Sequence, residues 1–166
     1  VQNTASDDTL PVPQINPEEI HQSRRDELVE LESDSAHILI VDDDALNRQV
    51  LNDFLVMRKY QVSEACDGIE ALEKVQSTQY DLIILDVMMP RMSGFEVSEK
   101  IREKYLPLEL PILLLSAKNQ PDDINTGLMS GANDYVSKPV DRKVLLARVK
   151  TLLMLREVYK SQHERA

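Results

Sequence analysis

The chain has 166 residues, of which 42% are hydrophobic, so it can hold one ordinary hydrophobic core together with tails. Its 29 acidic side chains outnumber the 19 basic ones and give a net charge of −10, which argues against general nucleic-acid binding because phosphate contacts need a basic surface. The single cysteine excludes an internal disulfide and favours a reducing, cytoplasmic compartment, and no apolar run or amino-terminal pattern predicts a membrane span or a signal peptide.

The first 36 residues differ in composition from the rest of the chain. They contain nine acidic residues against two arginines, and the beginning of the segment has few large apolar side chains. We interpret residues 1–36 as a linker, within which a proline and acidic residues at 17–19 predict a short helix over 17–32. Because the chain begins with Val1 rather than Met, we expect it to derive from a longer protein.

From residue 37 onwards, short apolar runs alternate with segments of helical periodicity. The predicted strands are His37–Val41, Tyr60–Ala65, Leu82–Leu85, Ile112–Leu115 and Asp134–Ser137. The predicted helices cover about residues 45–58, a segment after 68, residues 94–105, a segment from 121 to 130, and a long final segment from 140. In the first helix, the side chains expected to face the core are Leu46, Val50, Phe54 and Met57. This alternation predicts an α/β domain, a parallel sheet covered by helices on both faces.

Polar side chains follow four of the predicted strands. They are Asp42 and Asp43 after the first strand, Asp86 after the third, Ser116 after the fourth and Lys138 after the fifth. Because open α/β sheets bind ligands at the carboxyl ends of their strands, we expect these groups to converge. Three close carboxylates repel one another without a cation, and ligands that are all oxygen favour a hard ion such as Mg²⁺.

A hydroxyl and an ammonium group opposite such an ion complete the surroundings of a phosphoryl group. Phosphoryl transfer needs an in-line nucleophile and positive charge near the equatorial oxygens. We predict Asp86 as the nucleophile, which would form an acyl phosphate.

The sequence also resembles the receiver domain of two-component response regulators, the CheY-like family, over residues 37–155. Four motifs carry the resemblance: ILIVDDD at 38–44, DVMMPRMSG at 86–94, SA at 116–117 and GANDYVSKP at 131–139. It implies a flavodoxin-like sheet of five parallel strands in the order 2-1-3-4-5. It also implies that the chain is not an enzyme, apart from catalysing its own phosphorylation and dephosphorylation.

The resemblance gives the acidic residues their roles. Asp86 resembles the acceptor of a phosphoryl group from the phosphohistidine of a histidine kinase or a phosphotransfer domain. Asp43 resembles a direct Mg²⁺ ligand, and Asp42 resembles the residue that holds a metal-bound water. Asp86 itself and the backbone carbonyl of Met88 would complete the protein's share of the metal site.

The remaining motif residues resemble the conformational switch of the family. Ser116 and Lys138 would contact the phosphoryl oxygens, and Tyr135 would turn inward as Ser116 moves towards the phosphoryl group. The change would reach the face made by the fourth helix, the fifth strand and the last helix. The family also implies a cis Lys138–Pro139 peptide bond.

The last helix is apolar on more than one side. A heptad-like seam runs through Leu145, Val149, Leu152 and Tyr159, and Arg156 interrupts it. We interpret residues 156–166 as a continuation of this helix that forms a homodimer and leads to a covalently attached output or kinase domain. The alternative is a final helix with a frayed end.

Two other functional classes remain open. A phosphatase of the haloacid dehalogenase type would require Asp-x-Asp, whereas Asp86 is followed by Val87 and Met88. A pseudo-receiver would bind partners without phosphorylation, which the complete set of strand-end residues argues against. No DNA-binding helix-turn-helix is apparent, and a receiver within a hybrid histidine kinase or a cyclase-type signalling protein fits the flanking segments better than a stand-alone regulator.

Overall fold

The structure, a computed structural model, describes residues 16–19, 21, 36–117 and 121–163, without the side chains of residues 121–123. The chain divides into two compact units, Val1–Leu31 and Glu32–Ala166. In the first unit, residues 17–19 and 21 are helical; the rest of the helix predicted over 17–32 lies outside the described residues. No described helix has both the length and the apolar character needed to cross a membrane.

The second unit alternates strands and helices. The strands are β1 (His37–Val41), β2 (Gln61–Ala65), β3 (Leu82–Asp86), β4 (Ile112–Ser116) and β5 (Asp134–Ser137). The helices are α1 (Ala45–Val56), α2 (Gly68–Ser77), α3 (Gly94–Arg102), α4 (Pro121–Met129) and α5 (Arg142–His163). All strand pairs are parallel and their order is β2-β1-β3-β4-β5, which confirms the predicted architecture.

The sheet separates two apolar clusters because successive side chains of a strand point to opposite faces. Leu39, Val41, Ile83 and Leu85 join the cluster that includes side chains of α2 and α3, such as Ala71, Val97 and Ile101. Ile38, Ile40, Leu82 and Ile84 join the cluster that includes Leu51 and Leu55 of α1 and Leu145 and Val149 of α5. Every residue of β3 and β4 is buried, as expected for the central strands of a sheet covered on both faces.

Side-chain caps begin the helices that follow the carboxyl edge of the sheet. The Oδ1 atom of Asp44 accepts a hydrogen bond from the backbone nitrogen of Leu46 at 2.8 Å. The Oδ1 atom of Asp67 accepts one from Glu70 at 2.8 Å, and the Oγ atom of Ser93 caps α3. These caps satisfy donors at the first turn of each helix and therefore fix where the loops beside the strand ends terminate.

The inward face predicted for α1 is wrong at three of its four residues, because only Phe54 packs against the core. Leu46 is 71% exposed and Met57 66% exposed, whereas Leu51 and Leu55 are buried. The reason is Arg48, whose Nη1 atom donates to the backbone oxygen of Asp42 at 2.7 Å and whose Nε lies 3.3 Å from Glu64. Since Arg48 faces the sheet, the residues three and seven positions later face it too.

The seam predicted for dimerisation along α5 is also wrong, because the chain's own domain covers it. Leu145, Val149, Leu152 and Arg156 are all buried within the second unit. The Nε atom of Arg156 donates to the backbone oxygen of Glu109 at 3.1 Å, and its Nη1 lies 2.9 Å from Oδ1 of Asp81. The helix itself continues to His163, beyond this last buried contact.

Candidate functional site

The strand ends bring the predicted polar groups to one edge of the sheet. Asp86 ends β3 and lies beside Leu115 of β4, while Ser116 lies beside Ser137 of β5. The backbone nitrogen of Lys138 donates to the oxygen of Ser116 at 2.7 Å, which extends the pairing of β4 and β5 past the strand end. The Lys138–Pro139 peptide bond is cis, as the resemblance to the receiver family implied.

Three carboxylates meet at this edge. Asp42, Asp43 and Asp86 each place one oxygen so that all three oxygens lie within 4.8 Å of one another. Asp42 and Asp86 are buried, whereas Asp43 is exposed to solvent. The Nζ atom of Lys138 lies 2.9 Å from Oδ1 of Asp86 and 3.7 Å from Oδ2 of Asp42. The single ammonium of Lys138 is therefore shared between two buried carboxylates.

The local electrostatics favour a further cation. Burial raises the pKa of Asp86, the hydrogen bond from Lys138 opposes that shift, and the charge of Asp42 adds to it. Burial alone would lower the pKa of Lys138, but its hydrogen bond to Asp86 and the charges of both carboxylates outweigh burial, so the pKa is raised. The lysine stays protonated, and the anionic form of Asp86 is only partly compensated by it.

The hydrogen bonding of Asp42 provides an independent test of whether the site fits a cation. Its Oδ1 accepts a hydrogen bond from the backbone nitrogen of Asp44 at 2.9 Å. Its Oδ2 is buried and has no hydrogen-bond partner among the described residues. A buried anionic oxygen without a partner is costly, and a cation or its bound water would remove the cost. The oxygen-only set around it suits Mg²⁺, so the residues present fit the metal that the sequence predicts.

The opposite side of the site contains the hydroxyl and aromatic residues. Ser116 is buried and Tyr135 is half-buried against the core. Both contribute to the lining of a cavity of about 10 Å³, to which Val87 and Gly127 also belong. The structure thus brings Ser116 and Tyr135 to one small cavity behind the strand ends. The Met88 side chain is 71% exposed at the rim, and its backbone nitrogen lies 3.4 Å from Oδ1 of Asp86.

Arg48 is a residue beside the site that sequence reasoning missed. Its hydrogen bond to the backbone oxygen of Asp42 places positive charge next to the carboxylates, and its contact with Glu64 ties the end of β1 to β2. The available signal was its position one turn after the Asp44 cap. However, the sequence does not show which side of α1 faces the sheet, so an arginine at that position is expected to be an ordinary solvent-facing side chain.

Comparison with known proteins agrees with this geometry. The family described as response regulator receiver domain matches residues 38–150. The response regulator MprA of Mycobacterium ulcerans is 44% identical over 119 residues, which are 72% of this chain and 50% of that protein. The probable transcriptional regulator ycf27 of Cyanidium caldarium is 44% identical over 117 residues, 70% of this chain and 46% of that protein. The chain spans about half the length of the curated relatives it matches.

Solved structures give the same result. The chemotaxis protein CheY4 of Vibrio cholerae is 36% identical, with a TM-score of 0.67, and the match covers 71% of this chain and 98% of that one. A putative two-component response regulator/ggdef domain protein has a TM-score of 0.73 at 28% identity, and the match covers 78% of this chain and 53% of that one. The relatives are response regulators rather than conventional enzymes. The chain therefore belongs to the response regulator receiver domain family and is a phosphorylatable switch of two-component signal transduction.

Proposed function

We propose that the switch operates by phosphorylation of Asp86 from the phosphohistidine of a histidine kinase or a phosphotransfer domain. A carboxylate oxygen of Asp86 would attack phosphorus while the bond between phosphorus and the imidazole nitrogen breaks, so the imidazole leaves. The observation that supports this most is the convergence of three carboxylate oxygens within 4.8 Å, with the Lys138 ammonium 2.9 Å from Asp86. That arrangement offers a nucleophile and a fixed positive charge at one point.

The acidic residues divide the binding of Mg²⁺ between them. We assign direct contacts to Asp43, Asp86 and the backbone carbonyl of Met88, and a water-mediated contact to Asp42. When bound, the ion supplies positive charge to the phosphoryl oxygens. The buried Oδ2 atom of Asp42 supports this assignment because it accepts no hydrogen bond from the described residues, and the Lys138 ammonium lies 3.7 Å away. Ser116 and Lys138 would bind the remaining phosphoryl oxygens from the opposite side.

The relay would begin at the small cavity between Ser116 and Tyr135. As the Ser116 hydroxyl moves towards the phosphoryl group, the space beside it becomes available to the Tyr135 ring. The preferred rotamer of Tyr135 would then change, and the equilibrium of the α4–β5–α5 face would shift with it. The position of Tyr135 supports the proposal, because its side chain is half-buried against the core and lines the same small cavity as Ser116.

Further domains account for the difference in length between this chain and its relatives. We infer a covalently attached output or kinase domain in a cytoplasmic parent, of the hybrid histidine kinase or cyclase type, since the chain spans about half of its curated relatives. One similar solved structure is described as a response regulator/ggdef domain protein. We propose that residues 37–155 form the receiver, 1–36 a linker and 156–166 the helical continuation, with the exposed side of α5 as the surface for a homodimer.

Incubation with acetyl phosphate tests the proposal. Intact-protein mass spectrometry should show one added phosphoryl group with Mg²⁺ and none with EDTA. Asp86→Asn should abolish the addition, whereas Asp53→Asn, on the exposed side of α1, should not. Rapid turnover of many phosphate esters would indicate a phosphatase instead, and an unmodified wild-type protein would indicate a pseudo-receiver.

A further inference from the structure

The guanidinium of Arg48 holds the backbone between two of the clustered carboxylates. Its Nη1 atom donates to the backbone oxygen of Asp42 at 2.7 Å, and that oxygen belongs to the peptide unit that joins Asp42 to Asp43. The backbone nitrogen of Asp42 donates to the oxygen of Ala65 at 3.2 Å, which ties the same residue to the end of β2. Hydrogen bonds therefore fix the peptide units on both sides of Asp42.

Asp43 depends on this bond more than its neighbours do. Its carboxylate is exposed, and no hydrogen bond or ion pair reaches it from the described residues. Asp86, in contrast, lies 2.9 Å from the ammonium of Lys138. A carboxylate oxygen of Asp43 nevertheless lies within 4.8 Å of those of Asp42 and Asp86. The peptide unit that Arg48 holds is therefore the fixed point from which the side chain of Asp43 reaches the other carboxylates.

A cation beside a metal site needs a reason, because positive charge repels Mg²⁺. Only 19% of the Arg48 side chain is exposed, and its Nε lies 3.3 Å from Oε1 of Glu64 in β2. The pair of Arg48 and Glu64 has no net charge. It therefore supplies a hydrogen-bond donor to Asp42 while adding little positive potential at the carboxylates.

We propose that Arg48 is a positioning residue for the Mg²⁺ site and that Glu64 holds Arg48 in place. Removing a residue that bonds to the metal ligands, rather than to the metal, commonly changes metal affinity by about 10–100-fold. Here the bond reaches the backbone of the residues that carry the ligands. The inference rests on the proposed function, because it takes Asp42 and Asp43 as metal-binding residues.

The sign of the change in Mg²⁺ affinity distinguishes positioning from charge. Calorimetric titration of the unphosphorylated protein with MgCl₂ measures this affinity directly. If Arg48 positions the ligands, Arg48→Met should weaken Mg²⁺ binding about 10-fold, although the substitution removes a positive charge. If Arg48 acted only through its charge, the same variant should bind Mg²⁺ more tightly than the wild type. Tighter or unchanged binding, with the fold intact by circular dichroism, would overturn the proposal.

A double variant separates the two effects without changing the net charge. Arg48→Met combined with Glu64→Gln removes both charges, so a pure charge effect predicts wild-type affinity, and that result would contradict the proposal. Loss of the bond to Asp42 predicts binding as weak as in Arg48→Met alone. Arg58→Met, which removes an exposed cation just beyond the carboxyl end of α1, is the matched control and should bind like the wild type.

Arg48→Lys tests the same point with a milder change, should Arg48→Met fail to fold. It keeps the positive charge, but a compact ammonium does not reproduce the planar fork that joins Asp42 to Glu64. Positioning predicts weaker Mg²⁺ binding than in the wild type. Wild-type affinity in this variant would show that charge alone suffices and would overturn the proposal.

Phosphorylation by acetyl phosphate provides a second readout. Arg48 bonds to Asp42 and Glu64 rather than to Asp86. Arg48→Met should therefore need about 10-fold more Mg²⁺ for half-maximal phosphorylation and reach the wild-type rate at saturating Mg²⁺. A rate that stays low at saturation would contradict a role confined to the metal site. A wild-type protein that binds no Mg²⁺ would remove the proposed function as well, whereas normal binding by both the wild type and Arg48→Met would remove only this inference.

Discussion

Replacement of Asp42 by Asn should stabilise the protein in the absence of divalent cations. The buried carboxylate of Asp42 is repelled by Asp43 and Asp86 and attracted by Lys138, and one of its oxygens has no hydrogen-bond partner among the described residues. Asn keeps an oxygen for the hydrogen bond from the backbone nitrogen of Asp44 and removes the charge. The change therefore deletes an unfavourable set of charges with little loss of packing.

The structure sets the size of the effect. With an effective dielectric constant of about 20, unit charges at the upper limit of 4.8 Å repel by about 3.5 kcal/mol, and Asp42 takes part in two such repulsions. The attraction to Lys138 at 3.7 Å offsets about 4.5 kcal/mol of this total, which leaves about 2.5 kcal/mol of repulsion. Solvent screening at the exposed Asp43 reduces the remainder, so we expect Asp42→Asn to raise the free energy of unfolding by about 1–2 kcal/mol.

Urea unfolding in EDTA and in Mg²⁺ measures this effect. In EDTA, Asp42→Asn should unfold at higher urea than the wild type, whereas Asp53→Asn should differ by less than about 0.5 kcal/mol. In Mg²⁺, the wild type should gain more stability than Asp42→Asn, because only the wild type presents all three carboxylates to the ion. A variant less stable than the wild type in EDTA would refute the claim that repulsion dominates the metal-free site.

Three further changes test other contacts. Because burial raises the pKa of Asp86, the folded state holds the proton of this carboxyl more tightly than the unfolded state does. Without metal, the free energy of unfolding should therefore fall as the pH rises from the ordinary aspartate pKa through the raised one. Urea titrations at several pH values should show this decrease in the wild type and not in Asp86→Asn. Arg156→Met should lower the free energy of unfolding by about 2–3 kcal/mol because Asp81 loses its ion-pair partner, whereas Arg148→Met, at an exposed ion pair, should lower it by less than about 1 kcal/mol. Equal effects in urea unfolding would contradict a stabilising role for the pair of Arg156 and Asp81. Gly94→Ala should cost about 1–3 kcal/mol and weaken Mg²⁺ binding in calorimetry, since its methyl group would overlap the backbone oxygen of Asp86; unchanged affinity would contradict this.

The sequence predicted the features that depend on local pattern. Apolar runs such as Leu82–Leu85, each followed by a polar residue, specify both a buried strand and the chemistry at its end. Since parallel strands share one carboxyl edge, the meeting of Asp42, Asp86 and Lys138 could be predicted without knowing any distance. The orphaned oxygen of Asp42 could not, because hydrogen-bond satisfaction depends on the positions of all neighbouring atoms.

The wrong predictions share a physical origin. Both α1 and α5 contain two apolar series on different sides, and periodicity alone does not say which series the sheet covers. In α1 the choice follows from the bond between Arg48 and the backbone of Asp42. In α5 it follows from Arg156, which reaches Asp81 from 75 positions further along the chain. A contact such as that between Arg156 and Asp81 leaves no local pattern in the sequence.

The structure of the complex with Mg²⁺ and beryllofluoride tests the account most directly, because beryllofluoride mimics an acyl phosphate. The account predicts beryllium on a carboxylate oxygen of Asp86, the metal contacting Asp43 and the Met88 carbonyl, and fluorines bonded to Ser116 and Lys138. A site that stays without beryllofluoride at saturating Mg²⁺, or a beryllofluoride group attached to another carboxylate, would contradict it.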